Sequence, residues 1–185
     1  EEAMVDFGLP MGPATLSDLT GMDINYHVMK TFEKAFGERW KVNPLYERIY
    51  QTGCYGRKTG SGWFDYSGEK PIPNSKVMGV IQNYLKENGV RPKSMTSKEI
   101  VDRMLGRAIN EAAYMIQEGI CDRPQDMDLA IIYGLGFPPY RGGILRYADA
   151  WGIRNVYEHL LKLEKEHGIR LKPASLLKEI AESGR

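Results

Sequence analysis

Few side chains in this sequence stand at a spacing that could do chemistry, and each has a structural reading beside the functional one. Glu111 and Glu118 lie two turns apart on a predicted helix, so both point the same way. Paired carboxylates can exchange a proton as general acid and base. No base, nucleophile or metal ligand adjoins them, and a structural role at caps and turns weighs more. His27, His159 and His167 have no partners at metal-ligand spacing, and solvent-exposed or capping roles are expected for all three. Cys54 and Cys121 are too few for a zinc site and read as free thiols in a reducing compartment. No Ser-His-Asp or Cys-His arrangement is recognisable.

Two glycine-rich stretches imitate nucleotide loops. Gly134-Leu135-Gly136-Phe137-Pro138-Pro139 begins like a dinucleotide fingerprint, but a proline takes the third glycine's place and no strand precedes it. Its prolines also remove backbone donors that a phosphate would need. Gly53-Cys54-Tyr55-Gly56-Arg57-Lys58-Thr59 resembles a Walker loop superficially, yet Arg57 stands where glycine is required, and Gly60 and Gly62 oppose a following helix. Both read as turns. Tyr133 stands out by position, ending the apolar run Leu129-Ala130-Ile131-Ile132 before a stiff Gly-Pro turn. A phenol there is expected to be well held with its hydroxyl free to donate. A core tyrosine with a satisfied hydroxyl is the other reading.

The elements that must position these residues are helical. Asp23 can cap a helix running to about Gly37, and Ile24, Val28, Phe32 and Phe36 recur every four positions as one buried stripe. Pro44 opens a helix that closes by Gly53. Residues 53–74 lose periodicity and carry five glycines and two prolines, a connector whose Trp63, Phe64 and Tyr66 are expected to pack down. Val77, Ile81 and Leu85 mark the next helix. The clearest runs from Ser97 to Glu118, opened by a Thr96/Glu99 capping box. Shorter helices follow near 124–133, 143–151, 153–167 and 174–183, and no strand alternation appears. The N-terminal residues read like the tail of a helix, and the chain is expected to begin inside a larger protein.

An internal repeat runs through these elements. Phe7-Gly8-Leu9-Pro10 corresponds to Leu135-Gly136-Phe137-Pro138. Gly12, Asp18 and Gly21 correspond to Gly143, Asp149 and Gly152. Only the second copy is preceded by the long helix. Expected units are a partial first helical unit at 1–52, a connector at 53–75 and a second unit at 76–185.

Composition bounds the partners. The chain has 185 residues, 25 basic and 24 acidic, and is 42% hydrophobic. Such a chain buries roughly 70% of its unfolded surface and needs no staples. The charge balance argues against nucleic acid, and no apolar run is long enough for a membrane span. A cytoplasmic location is expected.

With these motifs in hand, a family comes into view. Residues 7–13 followed by 16–23 resemble the C-terminal helical domain of 3-hydroxyacyl-CoA dehydrogenases. Residues 56–64 resemble that family's connector. Residues 133–143 resemble the second domain copy in the multifunctional fatty-acid oxidation proteins, which join enoyl-CoA hydratase and dehydrogenase on one chain. The resemblance implies an all-α fold of two packed copies, the first truncated at its N-terminus. It implies a parent that oxidises 3-hydroxyacyl-CoA with NAD in β-oxidation. The Rossmann domain that binds NAD, the catalytic His and Glu and the family's Asn would all lie outside this sequence. No catalytic, cofactor-binding or metal-binding residue is therefore assigned here, and Tyr133 alone is carried over as substrate-binding. Residues Leu9 to Pro13 are implied to lie beside the acyl pocket. The parent's Rossmann domain, a hydratase domain, a thiolase and self-association are the implied partners. The alternative reading is a non-catalytic helical binding or oligomerisation module.

Overall fold

The computed structural model describes residues 1–184. Ten α-helices and one short two-stranded pair are found among them, arranged as two compact units. One unit holds Glu1 and residues 11–95. The other holds residues 2–10 and 96 onward.

In the first unit, α2 (Pro13–Thr20) and α3 (Met22–Phe36) are separated by a single residue, Gly21. Then come α4 (Pro44–Tyr50) and α5 (Ser75–Glu87). Asn43 and Asn74 cap these two helices by accepting from backbone N–H groups of their first turns. Met22, Ile49, Cys54 and Val77 form the core, with Leu45, Trp63 and Ile81 packed around it. Between α4 and α5 lies an antiparallel pair, β1 (Phe64–Asp65) and β2 (Ile72–Pro73), in register Phe64 to Pro73 and Asp65 to Ile72. Strands of two residues are too short to show alternation, so they leave no mark in the residue pattern. Trp63 does pack against the core, as expected.

In the second unit, α6 (Ser97–Gln117) is the longest element. Its capping box forms: Glu99 N–H donates to the Thr96 hydroxyl, and the Thr96 N–H donates to the Glu99 carboxylate at 2.8 Å. Against α6 pack α1 (Glu2–Phe7), α8 (Ile144–Trp151), α9 (Ile153–His167) and α10 (Ser175–Ser183). The remaining helix, α7 (Pro124–Leu135), packs on α8. The core draws Phe7, Leu105, Ile109, Phe137, Ile144, Val156, Leu160 and Leu177 together. Each such side chain contributes about 1.5–3 kcal/mol by leaving water. Asn110, fully buried, is satisfied by donating to Lys172 C=O and accepting from Ala174 N–H, which pins the segment before α10.

The unit boundaries differ from the expected 1–52, 53–75 and 76–185. Residues 53–95 join the first unit because Cys54 and Val77 complete its core. Residues 2–10 join the second because Ala3, Met4 and Phe7 bury against its core.

The repeat is visible in geometry. The pairs α2–α3 and α8–α9 each consist of an 8-residue helix, one glycine and a 15-residue helix. The joining glycines adopt nearly the same conformation, φ 102 and ψ 125 at Gly21 against φ 91 and ψ 117 at Gly152. That region is closed to side chains bearing Cβ, so both copies need glycine there. The short helices are also capped alike. Glu1 accepts from the N–H groups of Gly12 and Ala14, at 3.1 and 3.0 Å. Asp128 accepts from Leu145 and Arg146, at 2.7 and 3.2 Å. Each carboxylate faces the positive end of a helix.

One expectation fails here. The stripe Ile24, Val28, Phe32 and Phe36 is not buried: its members are 37–51% exposed. Helix α3 instead buries Met22 into the core, with Asn25 and Tyr26 half-buried.

Candidate functional site

Tyr133 sits on the last turn of α7, which ends as its chemistry demands. Gly136 adopts the left-handed conformation, φ 68, and its N–H donates to Ile132 C=O while Phe137 N–H donates to Ile131 C=O. Phe137 then turns inward, 1% exposed, its ring 5.7 Å from Phe7 and steeply tilted to it. Pro138 is buried behind it.

The loops after α1 and α7 interlock reciprocally. A Cβ on Gly8 would lie 2.8 Å from the Pro138 ring, and one on Gly136 would lie 2.8 Å from the Pro10 ring. Gly8 pairs with Gly136 and Pro10 with Pro138 in the repeat, so each loop's proline fills the space over the other's glycine, a contact made within the second unit. The Tyr140 hydroxyl and the Arg141 Nε both donate to Phe7 C=O, at 3.1 and 3.2 Å. The Arg141 guanidinium lies 4.0 Å above the Phe7 ring. Backbone and loop around Tyr133 are thus firmly fixed.

The Tyr133 side chain is not. It is 84% exposed, which contradicts both the well-held phenol and the core tyrosine. The reason is that α7 turns its Ile131–Ile132 side toward the core and leaves Leu129 and Tyr133, one turn apart, on the outer side. The arrangement is a phenol and an aliphatic side chain presented to solvent from an anchored helix end. A phenol so placed can donate to, or accept from, an oxygen of a bound molecule.

The residues resembling nucleotide loops do not fit a dinucleotide. Gly134 to Pro139 lies at the C-terminal, carbonyl-bearing end of α7, where a pyrophosphate is repelled. In the Walker-like stretch, Arg57–Thr59 forms one 3-10 turn closed by Gly60. Lys58 is paired with Asp23 at 2.5 Å, and Arg57 lies over the Tyr66 ring.

The connector just after that turn is held by Asp18, which the sequence marks only by its place in the repeat. Asp18 is 1% exposed and accepts from Trp63 N–H, Phe64 N–H and the Tyr66 hydroxyl, at 2.9, 3.0 and 2.9 Å. Gly62 gives the carboxylate room, since a Cβ there would lie 2.0 Å from its Oδ1. Asp149, its counterpart in the repeat, is exposed and pairs loosely with Arg146.

Among the histidines, His159 departs from expectation. It is neither capping nor solvent-exposed but lies in the α6–α9 crossing, 3.0 Å from where a Gly106 Cβ would stand and 5.4 Å from the Trp151 ring. Burial holds its pKa below the usual imidazole value, against the opposing pull of Asp102. Glu111 pairs with Arg107 at 3.0 Å, a structural use of that carboxylate. Cys54 and Cys121 are free thiols. Burial works to raise the Cys54 pKa, but hydrogen bonding with Thr52, Ser61 and Asn74 and the Lys76 charge prevail and lower it. Among the described residues, no three His, Cys, Asp or Glu side chains gather to hold a metal ion, and no helix is long and apolar enough to cross a membrane.

Two helical copies that share their joining glycines, their caps and an interlocked pair of Gly-x-Pro loops define a duplicated helical domain. The family model described as "3-hydroxyacyl-CoA dehydrogenase, C-terminal domain" matches residues 1–66 and 100–185, and the chain belongs to that family. It is 36% identical, over its whole length, to the peroxisomal fatty acid beta-oxidation multifunctional protein AIM1 of Arabidopsis thaliana, of which it covers 26%. It is 34% identical, again over its whole length, to the fatty acid oxidation complex subunit alpha of Shewanella halifaxensis, of which it covers 25%. The chain thus spans about a quarter of these curated relatives. In fold it is similar to the 3-hydroxybutyryl-CoA dehydrogenase of Escherichia coli, with a TM-score of 0.75 and 21% identity, covering 96% of this chain and 53% of that one. It is also similar to the dehydrogenase part of multifunctional enzyme 1 from C. elegans, with a TM-score of 0.67 and 22% identity, over 96% of this chain and 40% of that one.

Proposed function

We propose that this chain is the helical part of an NAD-dependent 3-hydroxyacyl-CoA dehydrogenase of fatty-acid β-oxidation. It forms one wall of the substrate cleft and a helical packing surface, and it is inactive alone. The observation that carries this is the conjunction of family membership with a Tyr133 that faces outward from an anchored helix end. In this reading the Tyr133 hydroxyl donates a hydrogen bond to an oxygen of the acyl-CoA, and Leu129 lies along its apolar portion. The interlocked Gly8 and Gly136 loops keep the end of α7 from shifting when substrate binds.

NAD belongs to a Rossmann domain of the intact enzyme, because neither glycine-rich stretch here suits a pyrophosphate. An enoyl-CoA hydratase domain, a thiolase partner and self-association belong to the same proposal, as does a cytoplasmic setting in which both thiols stay reduced.

A chimera tests the reading. The matched quarter of the Arabidopsis relative is replaced by this chain, and NAD-dependent oxidation of a 3-hydroxyacyl-CoA is assayed. Turnover is expected, and Tyr133→Ala should lower kcat/KM by roughly tenfold, a loss of about 1.4 kcal/mol. A folded chimera with no turnover, beside an active parent, would overturn the proposal.

A further inference from the structure

The second unit holds a cleft of about 580 Å³ between α6, α8, α9, α10 and the start of α7. Two buried small residues, Ala113 on α6 and Ala148 on α8, set its floor and leave room that larger side chains would fill. Ile109, Ile116, Ile153, Leu176 and Ile180 form its walls. Among the described residues that line it there is no aromatic ring, and the polar ones come only from α7 and α8. Water finds few partners on such walls, whereas hydrocarbon gains contact with all of them. Without a ring to stack on, the walls favour a chain of methylenes over a heterocycle.

The polar lining says what the chain should end in. Asp128 is already used: it accepts from the N–H groups of Leu145 and Arg146, at 2.7 and 3.2 Å, and offsets the positive end of α8. Arg146 is not used. Its guanidinium makes no hydrogen bond among the described residues, and its ion-pair partner Asp149 lies 3.8 Å away with both side chains largely exposed. An exposed pair at that distance is worth little and leaves the guanidinium fork free to take a better acceptor. Tyr133 has no part in this cleft. The cleft meets α7 at Pro124, Gln125 and Asp128, and Tyr133 stands about 12 Å beyond Gln125 along the same helix.

We propose that this cleft binds an unbranched aliphatic carboxylate, its chain laid between α6 and α10 and its carboxylate held by Arg146. The cleft has the size of a small-ligand pocket, and its lining is the usual one, mostly apolar with a few polar groups. Arg146 takes the carboxylate through two parallel N–H···O bonds, and Asp149 turns to water. An uncharged head loses that pairing, and a cationic head meets the same guanidinium as a like charge. This inference goes beyond the proposed catalytic role and stands without it.

The test is methyl NMR of the whole chain titrated with decanoate below its micelle concentration. The wall isoleucines are the reporters. Saturable shifts at Ile109, Ile116, Ile153 and Ile180 are expected, with octanoate, two methylenes shorter, binding roughly tenfold more weakly. Arg146→Gln should weaken decanoate about fivefold and leave decanol unchanged. The Arg146 side chain is largely exposed, so this variant should melt with the parent chain. Leu176→Trp, which fills the cleft from a half-buried position, should weaken decanoate and decanol alike. Absence of shifts at about millimolar decanoate would overturn the proposal. So would equal binding of decyltrimethylammonium, or decanoate binding indifferent to Arg146→Gln. Shifts at Ile24 on α3 as large as those on the walls would also overturn it, as the mark of a detergent coating exposed apolar surface. Dimerisation in sedimentation, abolished by Leu176→Trp and indifferent to decanoate, would assign the cleft to a second copy instead.

Discussion

Asp18 is the most buried polar side chain described in the first unit. Its carboxylate is sealed from water and satisfies three donors of the connector, two of them backbone N–H groups. Removing a buried acceptor leaves those donors without partners, at a cost above that of the bonds themselves. Asp18→Ala should destabilise the first unit by about 3 kcal/mol, read as a lower midpoint in urea. Asp18→Asn should cost less, because one amide oxygen still accepts. An unchanged midpoint in Asp18→Ala would contradict this role. The sequence showed Asp18 only as a repeat position paired with Asp149. Its burial depends on Trp63 and Phe64 folding back from some forty-five residues away, which no local pattern encodes. Glu1 and Asp128, which cap helices at a distance in sequence, were hidden for the same reason. Thr96 and Glu99, whose partners are three residues apart, were legible.

Among the elements, the α6–α9 crossing is built around a small residue and a ring. Gly106 admits His159, and the groups facing its imidazole are Asp102, Lys98 and Lys162, beside the Trp151 ring. Burial lowers the folded-state pKa of His159 below its unfolded value. Between those two values the unfolded chain binds more protons, so stability rises with pH there. The contribution is fully present above the unfolded pKa of about 6.5 and is lost as pH falls through the folded value. The melting temperature should therefore drop between pH 7 and 5, and His159→Gln should make that drop smaller. An equal drop in both proteins would exclude His159 as its source. Helix positions were readable from glycine, proline and capping residues, and most ends fall within two residues of expectation. What periodicity could not tell was which apolar stripes are covered. Spacing identifies a stripe, whereas burial needs a neighbouring element, and among the described residues no helix covers the outer side of α3.

At the scale of the whole molecule, duplication explains most of the architecture. The same glycine joint, the same carboxylate cap and the same Gly-x-Pro loop occur twice, and the two loops meet each other through Gly8 and Gly136. That much was legible, because glycines forced by backbone conformation leave fixed marks in a sequence. The proposed site is legible in the sequence only as a position. Tyr133 stands out by its place in the sequence, but its outward direction depends on which side of α7 meets the core. Its exposure leaves it little part in holding the fold, and only the proposed function gives it a ligand to meet. The most direct measurement is calorimetric titration of the chain with acetoacetyl-CoA, beside Tyr133→Phe and Tyr133→Ala. The account predicts binding by the parent chain that weakens about fivefold on losing the hydroxyl, near 1 kcal/mol, and further on losing the ring. Binding of equal strength in all three proteins, or none in the parent, would contradict it.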